Sequence, residues 1–399
     1  MRTAARTLGA AAAIAVAVAT ACDGPAAAGG EPATASGGIA VRPASSDERS
    51  AAAARTVASM TLLEQAASVV MGHVPTTDPA ALRAYMEATG AGGFILMGAN
   101  IPSDESALRA VTSALTVDPS RPPLIAVDQE GGDVSRLTWD AFPSALTLKD
   151  APADAAGDAF AGRAALVRRS GIGVNFGVVA DHTGDASSFI YRRALGATPD
   201  AAAERVAAAV RGEGLSAAST LKHFPGHGAA PGDSHSTIPS TPMTLADWRA
   251  ADAVPFSAGI EAGAPLLMYG HLAYTAVDAA PASLSAEWHR IAREDLGFDG
   301  VAITDDLGML QGSGLPQYSD PVANAVAAVA AGNDMVLTVV YSTPDTAAEA
   351  ARGIAAAAES GALPPGRVRE AAERVMALRL AQAAQGRGLV PCATCAPAG

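Results

Sequence analysis

Eight short apolar segments recur between residues 55 and 385, and longer, alanine-rich amphipathic stretches separate them. Nearly continuous apolar strands that alternate with helices are typical of a parallel sheet covered by helices. Eight such units favour an α/β fold, a TIM-like (β/α)8 barrel that forms a single catalytic domain. An open doubly wound sheet is the alternative, but no glycine-rich phosphate fingerprint opens the first unit. The predicted strands lie within residues 66–72, 92–98, 123–129, 173–181, 216–224, 265–271, 300–306 and 334–340.

Helices are predicted between these strands from apolar residues at helical spacing. Polar residues recur at the downstream ends of the strands, and in a barrel these ends form the one face where active sites are built. We therefore expect side chains far apart in the chain to surround one site. The predicted helices span 103–116, 152–169, 199–213, 246–262, 319–331, 344–360 and 365–384. The strand-end residues are Asp128, Asp181, Lys222, His223, His271 and Asp305.

The first 22 residues have the layout of an export signal. Arg2 and Arg6 precede the apolar run "LGAAAAIAVAVATA", which ends at Cys22. A basic start, a short apolar core and small residues before the break predict a signal peptide over residues 1–21. "ATAC" resembles a bacterial lipobox, so we expect Cys22 to be lipidated and the exported protein to be anchored at the extracytoplasmic face of the cell membrane. An ordinary cleaved signal beside an incidental cysteine is the alternative.

The remaining low-complexity segments define the domain boundaries. Residues 23–48, rich in Ala, Gly, Pro and Ser, predict a flexible linker. We place the barrel domain at 50–385 and a low-complexity tail at 386–399, where Cys392 and Cys395 fit a local disulfide or an idle pair better than a zinc site. The net charge of −13 argues against nucleic acid as a partner.

Two motifs carry carboxylates at strand ends. In "GVAITDD", Asp305 and Asp306 follow a predicted strand, so one should face the barrel mouth and the other the next helix. A carboxylate there can act as a nucleophile, a metal ligand or a helix N-cap. In "DQEGGDVSR", a Gly-Gly turn separates Asp128 from Arg136. This arrangement suits hydrogen bonds to the hydroxyl or amide groups of a sugar, although a surface ion pair is the alternative.

The stretch "KHFPGHGAAPGDSH", residues 222–235, holds three of the seven histidines. Zinc binding by His223, His227, Asp233 and His235 is possible, but their spacing matches no common zinc site. Pro225 and the glycines exclude a regular helix and predict a mobile loop. In "DSH", the carboxylate two residues before the imidazole can fix the ring tautomer and free the other nitrogen for proton transfer.

Taken together, "KHFPGHG", "DSH", "DQEGG", "NFGVVAD", "LGFDGVAITDDLGM" and "AAGNDMVL" resemble glycoside hydrolase family 3 over about residues 56–340. The resemblance is greatest to the single-domain β-N-acetylglucosaminidase (NagZ-type) branch, which includes actinobacterial lipoproteins. It implies a barrel fold and a retaining mechanism. It also implies that Asp305 is the nucleophile and that His235, supported by Asp233, is the general acid/base. The residues implied to bind the terminal N-acetylglucosamine are Asp128, Arg136, Arg193, Lys222 and His223.

From this resemblance we expect an exo-β-N-acetylglucosaminidase that acts on saccharides containing N-acetylglucosamine, such as cell-wall muropeptides. We expect it to be a monomer that needs no metal or cofactor. Asp133 stands where the family commonly has arginine, which can alter the accepted aglycone. Phosphorolysis is an alternative, because a neutral or cationic His235 repels phosphate less than a carboxylate would. A sugar-binding lipoprotein without catalysis is the alternative outside enzymes.

Overall fold

The computed structural model describes residues 45–214 and 216–385. Eight parallel strands, which we number β1–β8 along the chain, close into a barrel in which each strand pairs with its sequence neighbours and β8 pairs with β1. All eight predicted strands and the (β/α)8 barrel are therefore confirmed. The strands are β1 (Val70–Gly72), β2 (Gly93–Leu96), β3 (Leu124–Val127), β4 (Val174–Val179), β5 (Ala218–Phe224), β6 (Leu266–Tyr269), β7 (Val301–Asp306) and β8 (Met335–Leu337).

Helices surround the barrel. They are α1 (Ser46–Ala58), α2 (Leu62–Ser68), α3 (Pro79–Thr89), α4 (Glu105–Ala114), α5 (Ala145–Leu148), α6 (Ala153–Arg169), α7 (Pro199–Glu213), α8 (Leu245–Ala250), α9 (Ala253–Glu261), α10 (Ala286–Arg290), α11 (Leu307–Gly312), α12 (Pro321–Ala331), α13 (Thr346–Glu359) and α14 (Pro365–Ala384). A π-helical turn, Ile291–Asp295, extends α10, and two 3-10 turns span Ala282–Leu284 and Pro316–Tyr318. Two small ribbons pair Gln129–Gly131 with Val134–Ser135 and Ser240–Thr241 with Ala273–Tyr274.

Two predictions about helices and linkers need correction. The predicted helix 246–262 is two helices, α8 and α9, because Pro255 cannot donate a hydrogen bond to the carbonyl of Ala251 and its ring crowds that carbonyl. The predicted linker 23–48 ends too late, since α1 begins at Ser46 behind a capping box of Ser45 and Glu48. The predicted signal peptide, Cys22, the rest of the linker and the C-terminal tail with its two cysteines lie outside the described residues.

Mostly aliphatic side chains, with Phe176 among them, fill the barrel interior, and a cluster of aromatic side chains lies outside the wall around the end of β5. Phe224, which follows Lys222 and His223, meets four aromatic rings edge to face at centroid separations of 5.0–5.8 Å. These rings belong to Trp248, Phe256, Tyr269 and Trp288, all fully buried. Removing a large buried ring typically costs about 3–5 kcal/mol, so this cluster fixes the strand end that carries Lys222 and His223.

Within the described part of the chain, none of the helices combines the length and the hydropathy needed to cross a lipid bilayer. The amphipathic helices pack instead on the barrel, and α6 and α7 also pack closely on each other. A Cβ atom added to Gly212 of α7 would lie 2.1 Å from the carbonyl oxygen of Gly157 on α6. The close approach of these two helices therefore depends on the absence of a side chain at residue 212.

We expect Gly212→Ala to lower the free energy of unfolding by about 1–3 kcal/mol, because the added methyl group must push the α7 backbone away from α6. Urea denaturation followed by circular dichroism measures the change. Gly366→Ala in the first turn of α14 is the matched control, since an added Cβ there meets open space. The control should keep or slightly raise stability, as alanine favours helix. Equal stability of both variants would contradict the close helix contact.

Candidate active site

A cavity of about 420 Å³ opens at the carboxyl ends of the barrel strands. Apolar side chains form part of its wall, including Met97, Met268 and Met309. The structure thus brings together polar residues from four strands and their following loops, as the strand-end pattern predicts. Seven of the sequence-predicted residues line this cavity: Asp128, Arg136, Arg193, Lys222, His223, His235 and Asp305. Asp233 adjoins it through a hydrogen bond to His235.

A buried ionic cluster lies in the wall of the cavity. The Lys222 ammonium lies 2.7 Å from Glu130 and 3.0 Å from Asp128. The Arg193 guanidinium donates to both oxygens of Glu130, at 2.9 and 2.7 Å. Burial favours the neutral form of Glu130, but the charges of Lys222 and Arg193 outweigh it and lower the pKa of this carboxyl to about 2. Glu130 is therefore an anion that neutralises two buried cations.

Sequence reasoning assigned no role to Glu130, although it lies in the quoted "DQEGG". The hairpin that carries it depends on Gly131 and Gly132, whose φ values of 86° and 82° fit the predicted tight turn. The Gln129 side chain closes this hairpin by accepting hydrogen bonds from the backbone N–H groups of Arg136 and Leu137, at 2.9 and 2.8 Å. The Arg136 guanidinium lies 3.6 Å from Asp128, so these two side chains face the cavity as a loose ion pair.

His223 is held by a second buried carboxylate, Asp181. Its Nδ1 lies 2.7 Å from Asp181, and its Nε2 lies 3.3 Å from the Arg193 guanidinium. Since arginine can only donate, Nε2 accepts and Nδ1 donates to Asp181, which fixes the orientation of the ring. Burial opposes ionisation of Asp181, but neighbouring His223 and His227 keep the pKa of its carboxyl low. Asp181 was recognised only as a strand-end residue; its partners, 42 and 46 positions away, gave no local signal.

Adjacent carboxylates at the end of β7 have different environments. Burial disfavours ionisation of Asp305, yet His223, His271 and Lys222 hold its pKa below the ordinary value, so Asp305 faces the cavity as an anion. The Asp306 carboxylate accepts from the backbone N–H groups of Gly308, Val339 and Val340, at 3.0, 2.8 and 2.7 Å. Burial nevertheless raises the pKa of Asp306 to about 6. The N-cap interpretation of Asp306 is confirmed, because it caps α11.

The predicted loop after β5 contains no regular helix or strand between Phe224 and Ser240, as its proline and glycines indicated. On this loop, Nδ1 of His235 lies 2.6 Å from Asp233. The two side chains are 58% and 47% exposed. Partial desolvation opposes ionisation of Asp233, but hydrogen bonds from His235 lower its pKa. This contact leaves Nε2 of the imidazole to exchange a proton with a bound molecule.

His227, whose role the sequence left open, anchors this loop. Its buried ring places Nε2 3.1 Å from the Ser234 hydroxyl, next to Asp233 and His235. Its backbone N–H donates to Asp181 at 2.6 Å. The histidine therefore connects the loop tip to the carboxylate that also orients His223.

The zinc interpretation of the 222–235 stretch does not fit this geometry. Nδ1 of His223 contacts Asp181, Nε2 of His227 contacts Ser234, and Nδ1 of His235 contacts Asp233. Within residues 45–214 and 216–385, no group of three or more His, Cys, Asp and Glu side chains is arranged to hold a metal ion. The arrangement instead combines an ionised strand-end carboxylate, a carboxylate–imidazole pair and a set of fixed cations and hydrogen-bonding groups.

Residues 61–378 match the glycosyl hydrolase family 3 N-terminal domain. The chain belongs to glycosyl hydrolase family 3. It is 37% identical over 292 residues to a β-hexosaminidase of Methylococcus capsulatus, an alignment that covers 71% of this chain and 84% of the relative. The sequence resemblance to this family is thereby confirmed.

Solved structures of family 3 proteins also superpose on the chain. A β-N-acetylglucosaminidase from Paenibacillus sp. is 28% identical with a TM-score of 0.77, and the match covers 84% of this chain and 65% of that one. A β-N-acetylhexosaminidase from Beutenbergia cavernae is 28% identical with a TM-score of 0.71, and the match covers 81% of this chain and 99% of that one.

The ionic cluster predicts a large difference between two carboxylates of one hairpin. Glu130 pairs with Arg193 in the buried cluster, whereas Asp133 pairs with the adjacent Arg192 on the surface, at 2.6 Å. We expect Glu130→Gln to lower the free energy of unfolding by about 3–5 kcal/mol, because two buried cations lose their anion. Asp133→Asn should change it by less than about 1 kcal/mol. Chemical denaturation at pH 7 measures both, and similar losses would contradict the buried cluster.

Acid should remove the stabilisation that the Glu130 carboxylate gives to the folded wild-type protein. The pKa of Glu130 falls from 4.5 to about 2 on folding, so its stabilising effect is complete above pH 4.5 and is lost as the pH falls toward 2. The stability gap between wild type and Glu130→Gln should therefore narrow from pH 5 to pH 2. Denaturation midpoints of both proteins across this range measure it. A gap that stays constant would show that Glu130 does not titrate in this window.

Proposed function

We propose that this protein is a retaining exo-β-N-acetylglucosaminidase that hydrolyses terminal β-linked N-acetylglucosamine. The observation that carries the proposal is the ionised Asp305 in a cavity that His235, paired with Asp233, also lines. Membership of glycosyl hydrolase family 3 supports it, as do the relatives named β-hexosaminidase and β-N-acetylglucosaminidase.

The polar wall of the cavity holds the sugar in this proposal. Asp128 and Arg136 are partly exposed lining residues, and their loose ion pair can yield to sugar hydroxyl and amide groups. Lys222, Arg193 and His223 are fixed by Glu130 and Asp181 before any sugar enters. Groups that are already oriented lose little freedom on binding, so they place the anomeric carbon over Asp305 at low entropic cost.

Asp305 then attacks the anomeric carbon while the imidazolium of His235 gives its proton to the leaving oxygen. The carbon–oxygen bond to the aglycone breaks, and a glycosyl ester of Asp305 forms. Neutral His235 next takes a proton from water, which attacks the anomeric carbon and releases N-acetylglucosamine and the free Asp305 carboxylate. Most retaining glycosidases divide these roles between two carboxylates. Asp233 stabilises the imidazolium, so the Asp233–His235 pair serves in place of the second carboxylate.

The natural substrate and location are further parts of the proposal. A chain exported through residues 1–21 and anchored by a lipid on Cys22 would meet cell-wall fragments, so we propose muropeptides as substrates, in cell-wall turnover, and a monomeric enzyme at the membrane. The basic start, apolar run and "ATAC" sequence support this location. Membrane fractionation of the full chain tests it: the protein should partition with membranes, and Cys22→Ser should release it.

The nucleophile assignment predicts a covalent intermediate. Asp305→Asn should lower kcat/KM for an aryl β-N-acetylglucosaminide by more than about 1,000-fold. A 5-fluoro N-acetylglucosaminyl donor should add one sugar to the wild-type intact mass, and Asp305→Asn should abolish this adduct. Asp185→Asn, at an exposed turn after β4, is the control and should keep both activity and adduct. Full activity of Asp305→Asn would refute the mechanism.

The acid role of His235 predicts a dependence on the leaving group. His235→Ala should lower kcat/KM for the methyl glycoside by about 100- to 10,000-fold, because this alkoxide needs a proton to leave. Its effect on a 2,4-dinitrophenyl glycoside should be much smaller, since that group leaves as a stable anion. Equal losses for both substrates would contradict proton donation by His235.

Product analysis separates hydrolysis from phosphorolysis. We expect free N-acetylglucosamine as the product in the presence and absence of phosphate, with an unchanged rate. A phosphate-dependent rate and a sugar 1-phosphate product would instead support phosphorolysis.

A further inference from the structure

Exposed apolar side chains border the mouth of the cavity. Among the described residues, five large hydrophobic side chains are exposed, and two of them, Phe189 and Val340, line the cavity itself. A third, Tyr341, directly follows Val340 and is 70% exposed. Apolar groups that gather at one exposed place, rather than singly over the surface, mark a binding region.

The backbone of Tyr341 is unfavourable for a bulky residue. Its φ of 59° is the only positive value at a non-glycine residue within 45–214 and 216–385. Glycine or asparagine adopts this conformation at lower cost, and a bulky aromatic residue there is an outlier. The ring has no hydrogen bond or ion pair to another side chain in the described part of the chain that would offset this cost. Such outliers cluster at functional sites, where they place a side chain for use.

Firm contacts fix the segment that carries Tyr341. The Asp306 carboxylate accepts from the N–H groups of Val339 and Val340. At Gly308 an added Cβ would lie 2.1 Å from the carbonyl oxygen of Val340, so α11 packs tightly against this segment. Asp306, the neighbour of Asp305, therefore also holds the backbone segment that carries the Tyr341 ring.

The ring lies beside the loop that carries His235. A Cβ added to Gly312 would be 3.0 Å from the His235 carbonyl oxygen and 3.6 Å from the Tyr341 ring. The Phe189 ring meets the His235 imidazole edge to face, with centroids 5.6 Å apart. One aromatic ring thus contacts the imidazole that gives its proton to the leaving oxygen in the proposed mechanism, and a second lies near the backbone of the same residue.

We propose that Tyr341 and Phe189 form an aglycone subsite that binds the second pyranose ring of a saccharide substrate. This inference rests on the proposed function, because the leaving group must lie on the side of its proton donor. A pyranose presents a C–H face, which can stack on an aromatic ring, and a rim of hydroxyl groups. The exposed Asp133–Arg192 pair, whose carboxylate lines the same cavity, offers hydrogen bonds to that rim.

The test compares kcat/KM for the β-1,4-linked disaccharide of N-acetylglucosamine with kcat/KM for methyl β-N-acetylglucosaminide, whose aglycone has no ring. Tyr341→Asn removes the ring but suits the positive φ, so it should fold. We expect it to lower the disaccharide-to-methyl ratio about 5- to 10-fold. Tyr341→Phe keeps the ring and should keep the ratio, as should Leu63→Ala, a control at an exposed apolar residue on α2.

The outcomes separate this inference from the proposed function. If wild type hydrolyses neither substrate, the proposed function fails. If wild type hydrolyses both and Tyr341→Asn keeps the wild-type ratio, the aglycone subsite is refuted while the function stands. If the ratio falls equally in Tyr341→Phe, the hydroxyl rather than stacking is responsible and the proposal is wrong. A 4-methylumbelliferyl glycoside that loses activity in Tyr341→Asn while the disaccharide does not would assign the subsite to aryl groups instead.

Discussion

The site depends on one carboxylate, Glu130, which lies between the Lys222 ammonium and the Arg193 guanidinium. Both cations are almost fully buried, and a buried charge without a counter-ion is strongly destabilising. Glu130 neutralises them and at the same time joins the hairpin after β3, the segment after β4 and the end of β5. Asp128 and His223, which contact the same cations, are thereby placed at the cavity before a substrate binds.

The sequence allowed the barrel to be predicted because strand and helix periodicities are local, and the strand-end polar residues allowed its functional face to be predicted with it. The ionic partners of Glu130 and Asp181 were not predicted, since these residues become neighbours only when the barrel closes. Glu130 and Arg193 are 63 positions apart, and no spacing in the chain indicates their contact. The break between α8 and α9 was, by contrast, visible in Pro255.

Asp305 and Asp306 are adjacent at the end of β7 and have identical side chains, but only Asp305 has the proposed chemical role, whereas Asp306 holds backbone segments together. Successive residues of a strand face opposite sides, so Asp305 faces the cavity while the Asp306 carboxylate turns to the backbone N–H groups of Gly308, Val339 and Val340. Histidines and a lysine around Asp305 favour its anion, whereas burial of Asp306 raises its pKa to about 6. Asp306 joins α11 to the segment after β8, so the position of the cavity rim is fixed by the immediate neighbour of the group proposed to react.

The exposure of the Asp233–His235 pair has a consequence for turnover. More than half of the His235 side chain meets solvent, so bulk water reaches the imidazole without passing through the protein interior. In the proposed cycle the imidazole gives its proton to the leaving oxygen and regains one from the attacking water, so the pair returns to its starting protonation state within each turnover. The water consumed in the second step therefore comes directly from bulk solvent, and the enzyme needs no internal water channel to supply it.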